Sequence, residues 1–229
     1  VMAKTVDAAE NLLLSIWKPA VKKVDEEVAD MQKYADAHGA GYKIEAWDYY
    51  YFAEKVKAEK YNFSEDDVRP YFKLENVVEN GLFFLANKLY GLTFTKMPKA
   101  PKYNPEVTVY DVKDAKGKHV AVFMTDYYPR PVKAQGAWMM EMNQAYDFGG
   151  KSERPIVYNV CGFTAPTKDI PSLLTLDEVQ TAFHEFGHAL NGMLTVAPYK
   201  GLEGTNIDRD FVELPSQLNE HWALVPEVL

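Results

Sequence analysis

Residues Thr181–Gly192 read TAFHEFGHALNG, two histidines four positions apart with a glutamate directly after the first. In a chain of 229 residues with 5 His, H-E-x-x-H arises by chance about once in a hundred cases, so its surroundings must carry the reading. Thr175 followed three positions later by Glu178 is a capping-box pattern and predicts regular helix through the motif. At 3.6 residues per turn His184 and His188 fall about 40° apart on one face. Two imidazoles so placed reach one zinc ion at about 2.0–2.1 Å. Glu185 is rotated about 100° from His184, which suits a base that takes a proton from water beside the metal. Val179, Ala182, Phe183, Phe186 and Leu190 supply an apolar face. Gly187 costs about 1 kcal/mol of helix propensity against alanine and predicts close approach of another backbone.

Catalytic zinc takes three protein ligands and a water. Downstream, GTNIDRDFVELPSQLNEHWAL offers Asp208, Asp210, Glu213 and Glu220. Asp210 is placed to cap a helix with Glu213 in its first turn, where Pro215 limits regularity. Glu220, seven residues on, returns to within about 20° of the same face. There it suits a carboxylate that accepts a histidine N–H behind a Glu213 ligand. Read alone, both are solvated helix carboxylates; the motif upstream favours Glu213 as a ligand and leaves both readings of Glu220 open. His38 near a helix end, His119 in a hairpin and His221 beside Trp222 read as surface or packing residues, with His221 a minor candidate beside Glu220.

LLTLDEVQTAFHEFGHALNGML followed by GTNIDRDFVELPSQLNEHW closely resembles the thimet oligopeptidase family of zinc metallopeptidases, in its peptidyl-dipeptidase and oligopeptidase A branch. The likeness extends through DYYPRPVKAQGAWM, LFFLANKLYGLTF and WDYYYFAEK, nearly the whole chain. It implies that His184, His188 and Glu213 hold one Zn2+ per chain, that Glu185 is the catalytic carboxylate and that short peptides are the substrates. Asn191 stands where the family often has histidine. Family members are much longer, and their later region supplies groups that steady the tetrahedral intermediate. The resemblance therefore implies a central piece of a peptidase, truncated at its C-terminus, weak or inactive alone and prone to self-association through exposed apolar faces. The predicted strand IVYNVCGF resembles the family's sheet edge, able to pair with extended substrate; which residues touch substrate, and the cleavage preference, are left open. The rival reading is a non-catalytic zinc- or peptide-binding module. Glu185 argues against it, because a structural zinc site has no use for that carboxylate.

With 47% hydrophobic and 14% aromatic residues the chain can build a sizeable core, in one large domain or two small ones. A net charge of −8 argues against nucleic acid or an anionic membrane as partner, since both demand a basic surface. No apolar run approaches the ~18 residues of a membrane span. Cys161 stands alone, which excludes an intramolecular disulfide and a cysteine-based zinc site. VMAKTVDAAE lacks the order of a signal peptide, so a cytoplasmic location is favoured; a chain that begins with valine leaves a periplasmic one open through an upstream signal.

The first hundred residues read mainly as helix, with Leu13, Ile16, Trp17, Val21, Val24, Val28 and Met31 at three- and four-residue steps as a packing face. Pro19 is expected to kink or divide this helix and Gly39–Gly41 to end it. IEAWDYYYFAEKVKAEKY and LENVVENGLFFLANKLYG predict further helices, and Ser64 a cap for EDDVRPYF. After the Pro-rich TKMPKAPKYNP the pattern turns β-prone: VTVYDV and HVAVFMTDYY form a hairpin around KDAKGK, and RPIVYNVCGF is a third strand after a flexible DFGGKSER. The expected fold is α+β and mostly helical. A helical segment, 1–98, precedes a zinc-peptidase core, 99–229, with a small, mostly antiparallel sheet and the zinc-binding helix pair.

Overall fold

The computed structural model describes residues 2–62 and 64–228. The chain divides into two compact units, Val1–Val68 and Arg69–Leu229.

In the first unit, helix α1 (Val6–Ala37) starts where the Thr5 hydroxyl accepts from the Ala8 N–H at 3.1 Å. It runs undivided through Pro19, against the expectation of a break. Residues 10–20 are all exposed, so water can take up the Ser15 carbonyl that a proline at position 19 cannot serve. The apolar stripe is likewise exposed from Leu12 to Val24, and packing begins only near Val28. There Met31 and Ala35 meet Ile44, which precedes α2 (Tyr49–Tyr61), and Phe52 within it. A single-turn helix, α3 (Glu65–Val68), follows, with the Ser64 hydroxyl accepting from the Asp66 N–H.

The second unit opens with a continuous helical run: α4 (Leu74–Asn76), a π-helical stretch (Val77–Phe83) and α5 (Phe84–Tyr90), ended by Gly91 at φ +69°. Seven strands follow: β1 (Thr93–Lys96), β2 (Thr108–Lys113), β3 (His119–Asp126), β4 (Trp138–Asn143), β5 (Tyr146–Phe148), β6 (Lys151–Glu153) and β7 (Ile156–Val160). The main sheet has the order β1-β2-β3-β7-β4, with every pair antiparallel except β3–β7. This is the expected α+β class with a mostly antiparallel sheet. The β2–β3 hairpin turns where Asp114 and Lys118 bond and Gly117 takes φ +77°.

Two strand expectations are corrected. IVYNV is not a sheet edge: β7 is paired on both sides, and β4 is the edge strand next to it. Pairing on both sides leaves no mark in the sequence of IVYNV, whose burial pattern reports the faces of the strand and not its neighbours. The stretch taken as flexible, DFGGKSER, instead forms the β5–β6 hairpin, turned by Gly149 and Gly150 at φ +63° and +78°. The change of pattern near residue 98 lies inside the second unit, because the run Leu74–Tyr90 shares one core with the sheet and with helix α6 (Leu176–Leu194). Phe123, Phe183 and Phe186 are its largest fully buried side chains.

Candidate metal centre

Helix α6 begins with the capping box read from its sequence: the Thr175 hydroxyl accepts from the Glu178 N–H at 3.1 Å, and the Glu178 carboxylate from the Thr175 N–H at 2.8 Å. Helix α7 (Leu214–Glu220) crosses it at Gly187. A Cβ there would stand 2.7 Å from both the Pro215 carbonyl oxygen and the Ser216 Cα. This is the close backbone approach that a glycine within a good helix signals.

Two asparagines tie the neighbours to α6. Asn219 of α7 donates to the Phe183 carbonyl at 2.6 Å, and Asn159 of β7 to the Glu185 carbonyl at 2.8 Å. Both are buried, and they fix the helix turn that carries the first histidine and the glutamate. Sequence reasoning missed them because each serves a backbone carbonyl. Asn159 had one available signal, a polar residue inside the otherwise apolar IVYNV, whereas Asn219 lies in the polar stretch PSQLNEH and had none.

Asp210 does not cap α7. Residues 208–213 form tight turns, in which the Asp208 carbonyl accepts from Phe211 and Val212. Glu213 itself holds the N-cap position. Pro215, with no N–H to lose and φ already helical, suits the first turn and so sets the helix start after Glu213. The Ser216 hydroxyl donates to Glu213 Oε2 at 2.7 Å and orients the carboxylate.

The fold brings His184, His188 and Glu213 together. Glu213 Oε2 lies 3.2 Å from His184 Nε2 and 3.1 Å from His188 Nε2, and the three candidate ligand atoms all fall within 4.8 Å of one another. Among the described residues no other such group of His, Cys, Asp or Glu gathers so closely. Glu220 Oε1 lies 2.6 Å from His184 Nδ1, on the far side of the ring from Glu213. His221 starts a short 3₁₀ turn and stays outside the group. His38 caps α1, and His119 pairs with Asp111 at 2.6 Å. Asn191 donates to the Gly204 carbonyl at 2.8 Å and ties the end of α6 to the following loop.

Electrostatics separates the carboxylates. The Ser216 hydroxyl holds the Glu213 carboxyl below its usual range against the effect of burial, with the His188 and His184 charges assisting. Glu185 is 6% exposed, and burial raises its carboxyl to about 7; His184 opposes the rise and Glu213 adds to it. Burial likewise lowers His188, which favours neutral imidazole. An ionised carboxylate and two imidazole nitrogens facing one point form a donor set that fits Zn2+. Buried atoms at His188 Nδ1 and Glu185 Oε2 have no partner among the described residues, which fits a site built for more than packing.

The whole chain, residues 1–229, matches the family model described as Peptidase family M3. It is 43% identical over 99% of its length to a dipeptidyl carboxypeptidase of Salmonella typhimurium. It is 35% identical over its full length to oligopeptidase A of Escherichia coli, and 39% identical over 96% of its length to a probable cytosolic oligopeptidase A of Arabidopsis thaliana. The chain spans about a third of each relative: 33%, 34% and 32%.

Proposed function

Because the chain belongs to peptidase family M3, we propose that it carries the zinc-dependent catalytic core of an enzyme that hydrolyses peptide bonds in short peptides. The observation that carries this reading is the convergence of His184 Nε2, His188 Nε2 and Glu213 Oε2, with Glu185 buried beside them. Zinc held by these three residues supplies Lewis-acid chemistry, lowering the pKa of water toward ~7 and polarising a carbonyl.

The chain's own residues do the rest. Glu220 accepts a hydrogen bond from His184 Nδ1–H, which leaves Nε2 free as a ligand. Glu185 takes a proton from the attacking water and passes it to the departing amine. Its raised pKa suits a group that must both gain and lose a proton near neutral pH. The open edge of β4 is the strand for an extended peptide, held by backbone hydrogen bonds that depend little on side chains. All of these residues fall within 99–229, the segment taken as the peptidase core.

Since the chain spans about a third of its relatives, the remaining two thirds are the proposed source of the channel walls and of the donors to the oxyanion. Loss of one such donor costs about 10²–10³ in rate, so slow or absent turnover is expected of residues 1–229 alone. Among the described residues no helix is long and apolar enough to cross a membrane.

Zinc content and hydrolysis of a short peptide, compared between this chain and Glu185→Gln, test the assignment. The variant should retain zinc and lose at least 10²-fold of whatever rate the chain shows. Undiminished hydrolysis in the variant would remove Glu185 from the mechanism.

A further inference from the structure

Glu141 of β4 points at the last turn of α6 and at the loop that follows it. A Cβ at Gly192 would stand 2.7 Å from Glu141 Oε1, and one at Gly204 would overlap the same oxygen. The register agrees: Glu141 opposes Val157, a fully buried member of the core that the sheet shares with α6. Glu141 Oε1 is buried and has no hydrogen-bond partner among the described residues. Next to Gly204 stands Glu203, 1% exposed, whose carboxylate accepts from the Leu202 N–H at 2.8 Å and from the Asn206 amide at 3.4 Å. Packing alone disfavours a buried carboxyl oxygen without a donor beside a second buried carboxyl.

Burial first, then the charge of Glu203, push the Glu141 carboxyl above its usual range, and Glu203 is the charge that acts on it. The neighbouring elements add no ionisable group there, since β7 presents Val157 and α6 presents Gly192. Of the loop's other titratable groups, Lys200 pairs with Glu153 at 3.2 Å and lies over the Tyr146 ring, while Tyr199 packs on Phe148. Neutral bonds also hold the loop: Asn191 donates to the Gly204 carbonyl at 2.8 Å, and the Gly204 N–H to Thr195 Oγ1 at 3.3 Å. The carboxyl pair is thus the ionisable part of this junction.

We propose that Glu141 and Glu203 form a proton-operated clasp between β4 and the loop that leads to Glu213. With a proton on Glu141 the two groups tolerate their buried contact, and strand, helix end and loop stay packed. Loss of that proton leaves two adjacent buried charges, whose repulsion and desolvation drive the loop away from β4. The clasp uses no metal ligand and holds whether or not a peptide lies on β4. Its effect on a peptide rests on the reading of β4 given above: an open clasp loosens the end of that edge.

The test follows the amide shifts of Gly192 and Gly204 in the ¹⁵N-labelled chain as pH rises from ~4 to ~8, beside Glu141→Gln and Glu203→Gln. Both glycines should report one transition, with its midpoint above ~4.3, the ordinary glutamate value. The transition should vanish in Glu141→Gln and move down toward that value in Glu203→Gln. A carboxyl raised on folding stabilises the native state below its unfolded pKa, and that contribution is lost as pH rises through the folded one. The urea midpoint of Glu141→Gln should therefore approach that of the chain near pH ~4 and exceed it near pH ~8. A transition centred at or below ~4.3, its persistence in Glu141→Gln, or a Glu141→Gln variant less stable than the chain near pH ~8 would overturn the clasp.

Discussion

Asp126 shows how one residue can hold two strand ends. Its side chain is 2% exposed, and it accepts from Arg130 at 2.6 and 2.8 Å, from Lys133 at 3.0 Å and from the Tyr103 hydroxyl at 2.9 Å. Lys133 also donates to the carbonyls of Asp126, Tyr128 and Cys161, joining the ends of β3 and β7. Burial works against ionisation of Asp126, but the hydrogen bonds from Arg130, Lys133 and Tyr103 prevail and hold its carboxyl at about 2. A carboxyl lowered on folding stabilises the native state above its unfolded pKa, and that contribution fades as pH falls through the folded one. Asp126 therefore contributes on the order of 2 kcal/mol above pH ~4, lost between about pH 4 and pH 2. Urea unfolding of the chain and of Asp126→Asn should differ most at neutral pH and converge near pH 2. A gap that does not narrow on acidification would contradict the assignment.

At the same scale, the convergence of the candidate ligands was legible where a side chain serves a side chain. The four-residue step of His184 and His188 and the seven-residue step from Glu213 to Glu220 follow from helix geometry, and the structure places all four together. Asn159 and Asn219 were not legible, because a residue that braces a carbonyl leaves no periodic trace.

Among the elements, the turn between β3 and β4 breaks a local rule. Lys133 N–H bonds the Arg130 carbonyl at 3.2 Å around Pro131 and Val132, and Val132 takes φ +63°. Such a turn, with proline second, reserves its third position for glycine or asparagine, and a β-branched residue there is strained. Arg130 and Lys133, both anchored on Asp126, hold the turn in place. Val132→Gly should stabilise the chain by about 1 kcal/mol, relief of strain exceeding the added freedom of the unfolded chain. The check is a higher urea midpoint at unchanged slope, and a midpoint that stays or falls would refute the strain. The elements themselves were read best where signals are local, as in the Thr175 capping box and the Gly117 hairpin. They were read worst where the partner is distant in sequence. The alternation of a strand says which face is buried but not how many neighbours it has, so the central place of β7 and the edge place of β4 could be settled only by the folded chain.

For the whole molecule, apolar surface remains uncovered. Leu214, Leu218 and Leu224 are all more than half exposed in and after α7, and the α1 stripe from Leu12 to Trp17 is exposed too. Faces of this kind favour association, so sedimentation should show oligomers of the chain that diminish in a Leu214→Lys, Leu218→Lys variant. A monomer at high concentration would contradict this.

Zinc content of the chain after dialysis against a mild chelator, beside Glu213→Ala and Glu220→Gln, decides whether His184, His188 and Glu213 hold a metal. Near one zinc per chain is expected, with loss in Glu213→Ala and affinity weakened about 10- to 100-fold in Glu220→Gln, which removes the charged acceptor of His184. Zinc held equally by the chain and Glu213→Ala, or by neither, would contradict a site built from His184, His188 and Glu213.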